Sequence, residues 1–155
     1  MTKRQTRKQK YNDLANVIGQ IRRGEKVKRI GTKDGSIRTH PMVPVDSKKL
    51  EYEVKADCIE WLRKRHIFCN SHGCGSFINE HGQQRMYGIV NSGDIHGLNK
   101  QGIHFELETK RGSGGRLSKG QQKRKQKIQK NNGIYLIIHG WQELEYYNDT
   151  HCYFS

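Results

Sequence analysis

Residues 104–110 read His-Phe-Glu-Leu-Glu-Thr-Lys, and this stretch decides the fold because it alternates at the two-residue period of a β-strand. One face holds two carboxylates and an ammonium, on Glu106, Glu108 and Lys110. The opposite face holds the less polar side chains Phe105, Leu107 and Thr109. The sequence therefore predicts a strand that packs on a core with one side and presents a charged cluster on the other.

A turn containing glycine precedes this strand. It reads Ser92-Gly-Asp-Ile-His-Gly97, and its glycines allow a sharp change of direction and a close approach to a ligand. Asp94 and Glu108 would supply two carboxylates and Lys110 an ammonium, which together suit a Mg²⁺ ion and an attacking water. A Glu-x-Lys strand taken alone is more often a solvated face with cross-strand ion pairs.

Two further elements follow the charged strand. A helix rich in Lys and Arg is predicted from Ser118 to Asn131, with Gln121 in its first turn. The apolar run Ile134–Ile138 predicts a strand that is covered on both faces. The order of turn, charged strand, basic helix and apolar strand favours a catalytic role for the cluster over a solvated one.

This succession resembles the VRR-NUC branch of the PD-(D/E)XK nucleases. The matching positions are Gly93-Asp94-Ile95, Glu108-Thr109-Lys110 and Ser118–Gln121, and the resemblance covers roughly residues 49–148. The chain departs from the pattern in having Ser92-Gly93 and no proline before the aspartate. The resemblance implies an α/β fold with a restriction-endonuclease-like αβββαβ core, whose mixed central sheet is flanked by helices.

The resemblance also implies an activity, the Mg²⁺-dependent hydrolysis of phosphodiester bonds in DNA by an endonuclease, with Mn²⁺ as an alternative ion. Asp94 and Glu108 would hold the metal with the Thr109 carbonyl. Lys110 would position or deprotonate the attacking water, and Gln121 would orient the lysine or the water. A glutamate on the first helix of the domain often reaches the metal in this family, and Glu51 fits that position best, with Glu53 as the alternate. The preferred DNA form (junction, flap, nick or single strand) stays open.

The charge of the chain favours a polyanionic partner. Lys and Arg number 29 against 15 Asp and Glu, which gives a net charge of +14. Residues 110–130 hold nine of these cations and no acid. The glycine-rich loop Gly112–Arg116 either connects two elements or lies against a phosphate backbone. Residues on and around it form the predicted nucleic-acid interface, namely Arg111, Arg116, Lys119, Lys123 and Arg124.

The chain is predicted to divide into a basic N-terminal extension, residues 1–46, and a nuclease domain, residues 47–155. In the extension, the first ten residues should lack regular structure, and helical spacing predicts a helix over Tyr11–Arg23. Lys33-Asp34-Gly35 indicates a basic hairpin. Residues 41–47, with both prolines of the chain, are typical of a linker.

The nuclease domain should open with a helix from about Ser47 to Arg65, capped by Ser47. Its remaining elements are less clearly marked. They are predicted as a strand at Ile67–Asn70, a loop at Ser71–Gly82, a strand at Met86–Val90, a short helix at Trp141–Tyr147 and an edge strand at Cys152–Phe154. Glu106 shares a face with Glu108, and we expect it to be a solvated residue more than a substitute metal ligand.

A second hypothesis comes from a cluster of potential zinc ligands, His66, Cys69, His72, Cys74 and His81. A basic nucleic-acid-binding module without catalysis, stabilised by zinc, would also explain the charge. The spacing matches no familiar pair of zinc ligands. A PD-(D/E)XK fold that has lost cleavage is a third hypothesis, and the joint presence of Asp94, Glu108, Lys110 and Gln121 argues against it.

The location and assembly of the protein are expectations only. No apolar run approaches the roughly 20 residues of a membrane span, and the N-terminus lacks the apolar region of a signal peptide, so we expect a cytoplasmic protein. Small size associates it with phages or mobile elements, hence with a host cytoplasm. A homodimer would be needed to cut two strands symmetrically.

Overall fold

The chain forms two compact units in a computed structural model that describes residues 6–25 and 34–155. The units are Met1–Gly31 and Thr32–Ser155, and each is described by itself. The boundary lies before the predicted one at residues 46 and 47. The segment that contains Pro41 and Pro44 therefore belongs to the larger unit.

In its described residues, 6–25, the smaller unit contains one helix, α1, at Arg7–Arg22. The predicted helix is confirmed, but it begins earlier than Tyr11, so the prediction for residues 7–10 was wrong. The cause is a capping box, in which the Gln9 N–H donates to Thr6 Oγ1 at 3.3 Å and the Thr6 N–H donates to Gln9 Oε1 at 2.8 Å. Most of the predicted hairpin around Lys33 lies outside the described residues.

The larger unit contains eight strands and three helices within its described part. In chain order they are β1 (Ile37–Thr39), α2 (Glu51–Lys64), β2 (Phe68–Ser71), β3 (Gly75–Ile78), β4 (Gln84–Tyr87), β5 (Ile95–Leu98), β6 (His104–Thr109), β7 (Gly115–Leu117), α3 (Lys119–Lys130), β8 (Ile134–Ile138) and α4 (Trp141–His151).

A mixed four-stranded sheet with the order β2-β5-β6-β8 forms the centre of this unit. Its first three strands are antiparallel neighbours, and β8 lies parallel to β6. Because α3 connects β6 to its parallel neighbour, the helix crosses over the sheet, as a parallel pair requires. The predicted α/β class with a mixed central sheet flanked by helices is confirmed.

The hydrophobic core lies between one face of the sheet and the helices α2 and α4. Phe105 and Leu107 of β6 are completely buried with Leu62 and Leu144 from the two helices. Phe154, beyond the end of α4, contacts Phe105 edge to face at a centroid distance of 5.3 Å. The uncharged face of β6 is thus the core face, as its alternation predicted.

Two small antiparallel ribbons accompany the central sheet. In one, β1 pairs with β7; in the other, β3 pairs with β4. The predicted loop over Ser71–Gly82 is therefore wrong in part, because Gly75–Ile78 forms a hairpin with Gln84–Tyr87. The second strand of the central sheet is β5, and not the predicted Met86–Val90. This strand was not predicted because the two glycines of residues 92–97 indicated a turn.

The ends of the three helices differ in how well the sequence marked them. The helix α2 begins at Glu51, because the Asp46 side chain and carbonyl accept from Lys48 and Lys49 in a separate turn before it. Ser47 is therefore not its cap. The predicted basic helix and the strand β8 are confirmed within one residue at each end. The predicted edge strand Cys152–Phe154 is wrong, because α4 continues to His151 and Cys152 turns the chain with φ 54°.

No helix among residues 6–25 and 34–155 combines the length and apolar character that a membrane crossing requires.

Candidate active site

The charged face of β6 is buried and not solvated. Glu106 and Glu108 are 0% and 3% exposed, and Lys110 is 8% exposed. The helix α3 covers this face, since its Gln121 and Arg124 side chains contact the two glutamates. A buried charged cluster is costly unless each charge has a partner, so its contacts decide what it is for.

The turn before β5 is held against β6 by contacts on both sides. The Gly93 N–H donates to Glu106 Oε2 at 3.0 Å, and the His72 N–H donates to the Asp94 carbonyl at 2.7 Å. A Cβ atom at residue 93 would lie 2.7 Å from the Leu107 carbonyl oxygen, so only glycine fits there. The position of Asp94 is therefore fixed by its neighbours.

The Asp94 side chain reaches the end of β6. Its Oδ2 atom accepts from the Thr109 N–H at 2.8 Å and from the Thr109 hydroxyl at 2.9 Å. Ile95 pairs with Leu107, so Asp94 lies one position further along the register, opposite Glu108. Within the described part of the chain, no donor reaches the second oxygen, Oδ1.

Glu108 lies at the centre of the cluster. Its Oε1 atom accepts from the Lys110 ammonium at 2.6 Å and from the Gln121 side-chain amide at 2.6 Å. Burial raises the pKa of Glu108 to about 7, the Lys110 ammonium opposes this, and the carboxylates of Asp94 and Glu51 raise it further. The other oxygen, Oε2, has no donor among the described residues.

Gln121 is oriented by the first turn of α3. Its side-chain oxygen accepts from the Ser118 N–H at 2.9 Å, while the Gln121 N–H donates to Ser118 Oγ at 3.1 Å. This capping box leaves the amide nitrogen directed at Glu108. The predicted glutamine is thus in contact with the predicted glutamate, and its orientation is determined by the helix cap.

The helix α2 contributes to the electrostatics of the site. Glu53, the predicted alternate to Glu51, accepts from the Leu50 N–H at 2.8 Å and serves as a helix cap. Glu51 is exposed, and its charge acts on Glu108 through space. In the described residues, no three His, Cys, Asp or Glu side chains form a group arranged to hold a metal ion, so Glu51 does not complete a three-carboxylate set with Asp94 and Glu108.

Glu106 is a site residue that sequence reasoning misjudged. It is fully buried, and it accepts from Gly93, from His104 Nε2 at 3.2 Å and from two nitrogens of Arg124. Burial alone would raise the pKa of Glu106, but the hydrogen bonds from Arg124, Gly93 and His104 lower it to about 2. The expectation of a solvated residue was wrong. A signal existed, because Gln121 and Arg124 lie three residues apart on one helix face, matching two glutamates two residues apart on a strand.

The predicted nucleic-acid residues fall into two groups. Arg111, Lys119 and Lys123 are exposed. Arg116 is also exposed, and its guanidinium donates to the Ser36 hydroxyl and carbonyl at 2.7 and 2.8 Å. Arg124 differs, since its guanidinium lies beneath α3 as the partner of Glu106. Arg124 therefore stabilises the buried cluster through its ion pair with Glu106.

The five potential zinc ligands do not gather into one site. His72 stacks on His96 at a centroid distance of 4.4 Å, and its Nε2 accepts from the Ile89 N–H. Cys74 is exposed beside the β3–β4 ribbon, and Cys69 is half-buried on β2. The absence of a three-ligand metal group among the described residues applies to these side chains too.

The remaining acceptors at the site are hard oxygen atoms. They are Asp94 Oδ1, Glu108 Oε2 and the Thr109 carbonyl, which lies on the same edge of β6 as the Thr109 N–H that contacts Asp94. Mg²⁺ is commonly held by one or two carboxylates, with water and substrate oxygens completing the octahedron. This set of oxygen ligands therefore fits Mg²⁺ or Mn²⁺.

No known protein family model matches this sequence, and no match was found among curated proteins or solved structures.

Proposed function

We propose that the protein is a metal-dependent nuclease that hydrolyses phosphodiester bonds in DNA. The observation that supports this is the arrangement of Asp94, Glu108, Lys110 and Gln121. Four residues that lie up to 27 positions apart in the sequence converge at the end of one strand. Their order resembles the pattern of the VRR-NUC nucleases, and the helix–three-strand–helix–strand succession is compatible with the restriction-endonuclease-like core of that family.

Asp94 and Glu108 would hold Mg²⁺ through the oxygens that face away from their hydrogen-bond partners, with the Thr109 carbonyl as a third ligand. A bound divalent cation at this position would lower the pKa of a water ligand and polarise the phosphoryl oxygens. Glu51 would contribute negative charge near the ion. The 3% exposure of Glu108 keeps bulk water from screening these interactions.

Lys110 has the placement of a residue that acts on the attacking water or on the phosphate. Its ammonium lies 2.6 Å from Glu108, so a substrate phosphate approaching the carboxylates would come within reach of it. In the transition state the ammonium would offset the charge that develops on the phosphoryl oxygens. Gln121, fixed by the helix cap, would hold Glu108 in the orientation that this requires.

The substrate class follows from charge. Nine of the 21 residues from Lys110 to Lys130 are cationic and none is acidic, and they lie on the loop and helix next to the carboxylates. Such a basic surface attracts a polyanion that the carboxylates alone would repel. DNA is proposed over RNA because the resembled family acts mostly on DNA.

The test is a panel of labelled junction, flap, nicked and single-stranded DNA, with RNA equivalents, incubated with Mg²⁺ and then with EDTA. We expect Mg²⁺-dependent cleavage of at least one DNA form, abolished in Asp94→Asn and in Lys110→Met while DNA binding is retained. The matched control is Lys100→Met, which removes an exposed cation at the other end of β6. Undiminished cleavage in both site variants would refute the assignment. Binding without cleavage in the wild type would favour the non-catalytic module.

A further inference from the structure

A cleft of about 320 Å³ opens beside the candidate active site, and three of its lining residues precede the resembled nuclease core. It lies between the β1–β7 ribbon and the loop that follows β6. The residues that line it are Arg38, Thr39, His40, Arg111, Ser113, Gly114, Gly115 and Arg116. Three of them are arginines and none is acidic.

The arginines are placed close together by the register of the ribbon. Arg38 of β1 pairs directly with Arg116 of β7, so both side chains emerge on the same face of the ribbon. Arg111 adds a third positive charge to the same cleft, and Arg38 and Arg111 are both exposed. Because the Arg116 guanidinium also donates to the Ser36 hydroxyl and carbonyl, an anion in the cleft would be held mainly by Arg38 and Arg111.

The cleft is held in shape before any ligand arrives. The Gly114 N–H donates to the Arg111 carbonyl at 2.9 Å and closes a tight turn. Gly114 has φ 96°, and a Cβ atom there would lie 2.7 Å from the Thr39 carbonyl oxygen, so the loop lies directly against β1. The ribbon is fixed in turn, because the buried His139 contacts the Thr39 hydroxyl at 3.0 Å and Glu143 at 3.1 Å.

The cleft adjoins the residue that would act on the scissile phosphate. A Cβ atom at Gly115 would lie 2.9 Å from Lys110 Cδ, so the Lys110 stem packs against the wall of the cleft. Arg111 follows Lys110 directly in the sequence. A nucleic-acid strand whose phosphate lies at Lys110 would therefore bring a neighbouring phosphate to the arginines.

We propose that this cleft is a phosphate-binding site, formed by Arg38, Arg111 and Arg116, that holds the phosphate next to the one being cleaved. The guanidinium group suits this role because its N–H groups match two phosphate oxygens at once. This inference rests on the proposed function for one part, namely that the bound phosphate is the neighbour of the one being cleaved. The cleft is formed by β1 and the loop after β6, and Arg38 and His40 lie outside the resemblance to nucleases.

The test measures binding separately from cleavage. Fluorescence anisotropy of a short labelled DNA duplex, in EDTA and over a series of KCl concentrations, gives the affinity and its salt dependence for Arg38→Gln, Arg111→Gln and the double variant. Each single change should weaken binding several-fold and reduce the salt slope by about one, and the double change by about two. Lys100→Gln serves as the control, because it removes the same charge far from the cleft.

The outcomes for the two proposals are distinguishable. A slope in the double variant equal to that of Lys100→Gln would overturn the cleft proposal, even if the wild type cleaves DNA. A reduced slope in a protein that never cleaves DNA would support the cleft and refute the nuclease proposal. Duplexes with and without a 5′-phosphate identify the source of the phosphate. An equal loss on both indicates an internal phosphate, and a loss confined to the phosphorylated duplex indicates a terminal one; either supports a phosphate site.

Discussion

Replacing Glu106 with glutamine should destabilise the protein strongly, although this residue contacts no proposed ligand. The pKa of Glu106 falls from an ordinary value of 4.5 to about 2, because the Arg124 guanidinium, the Gly93 N–H and His104 outweigh the effect of burial. A lowering of that size corresponds to about 3 kcal/mol of stabilisation of the folded chain by the ionised carboxylate. Since Glu106 is fully buried, solvent does not screen these contacts.

The sign of the pH dependence follows from the lowered pKa. The folded state binds the Glu106 proton less tightly than the unfolded state, so the stabilisation is present above about pH 4.5 and is lost as the pH falls towards 2. Glu106→Gln should therefore lower the free energy of unfolding by about 3 kcal/mol at neutral pH. It should also flatten the stability profile between pH 4.5 and 2.

Urea denaturation followed by circular dichroism, repeated from neutral to acidic pH, measures both effects. Glu60→Gln is a suitable control, because Glu60 is an exposed carboxylate on α2 whose partner Lys64 is also exposed. A loss at neutral pH no larger than that of the control, or an acid profile unchanged from the wild type, would refute the view that Glu106 fixes the Asp94 turn and α3 to the strand.

Three further predictions follow from the same contacts. Mg²⁺ affinity, measured by calorimetry, should rise about tenfold per pH unit up to the pKa of Glu108 near 7 and level off above it, because the ion binds the ionised carboxylate. An affinity that does not change between pH 5.5 and 7 would contradict this. Tyr135→Phe should raise the free energy of unfolding in urea by about 1 kcal/mol, since the Tyr135 hydroxyl is buried without a hydrogen-bond partner among the described residues. A loss of stability would show that the hydroxyl has a hydrogen-bond partner. Gly93→Ala should weaken Mg²⁺ binding at least tenfold in the same calorimetric assay, because the added Cβ would displace the Asp94 turn, and wild-type affinity would refute that close approach.

The sequence predicted the elements that carry a clear local signal, such as an alternation, an apolar run or a helix-forming composition. The alternation of β6, the apolar run of β8 and the basic helix α3 were all found where their patterns placed them. These elements carry Glu108, Lys110 and Gln121, so most of the candidate site was predicted with them. Local sequence suffices here because each side chain is presented by a regular element whose ends are marked by a cap or a glycine.

The elements that the sequence did not predict depend on contacts between distant residues. The strand β5 contains a glycine and a histidine and looks like part of a turn, yet its backbone completes the sheet between β2 and β6. The strand β1 has three residues and pairs with β7, which lies 76 to 80 positions further on. No local pattern encodes such a pairing, since its stability comes from tertiary contacts such as the one between Thr39 and His139.

Glu106 and Glu108 show why burial and sequence alone do not separate a structural carboxylate from a functional one. They occupy the same face of one strand and are both buried, but their pKa values shift in opposite directions. Glu106 has donors on both oxygens, so its negative charge is compensated within the fold. Glu108 has donors on one oxygen, and burial together with the charges of Asp94 and Glu51 raises its pKa to about 7. Its ionisation therefore costs about 3 kcal/mol of stability as the pH rises from 4.5 to 7. A divalent cation between Asp94 and Glu108 would offset that cost, which is the physical reason for placing the metal there and not at Glu106.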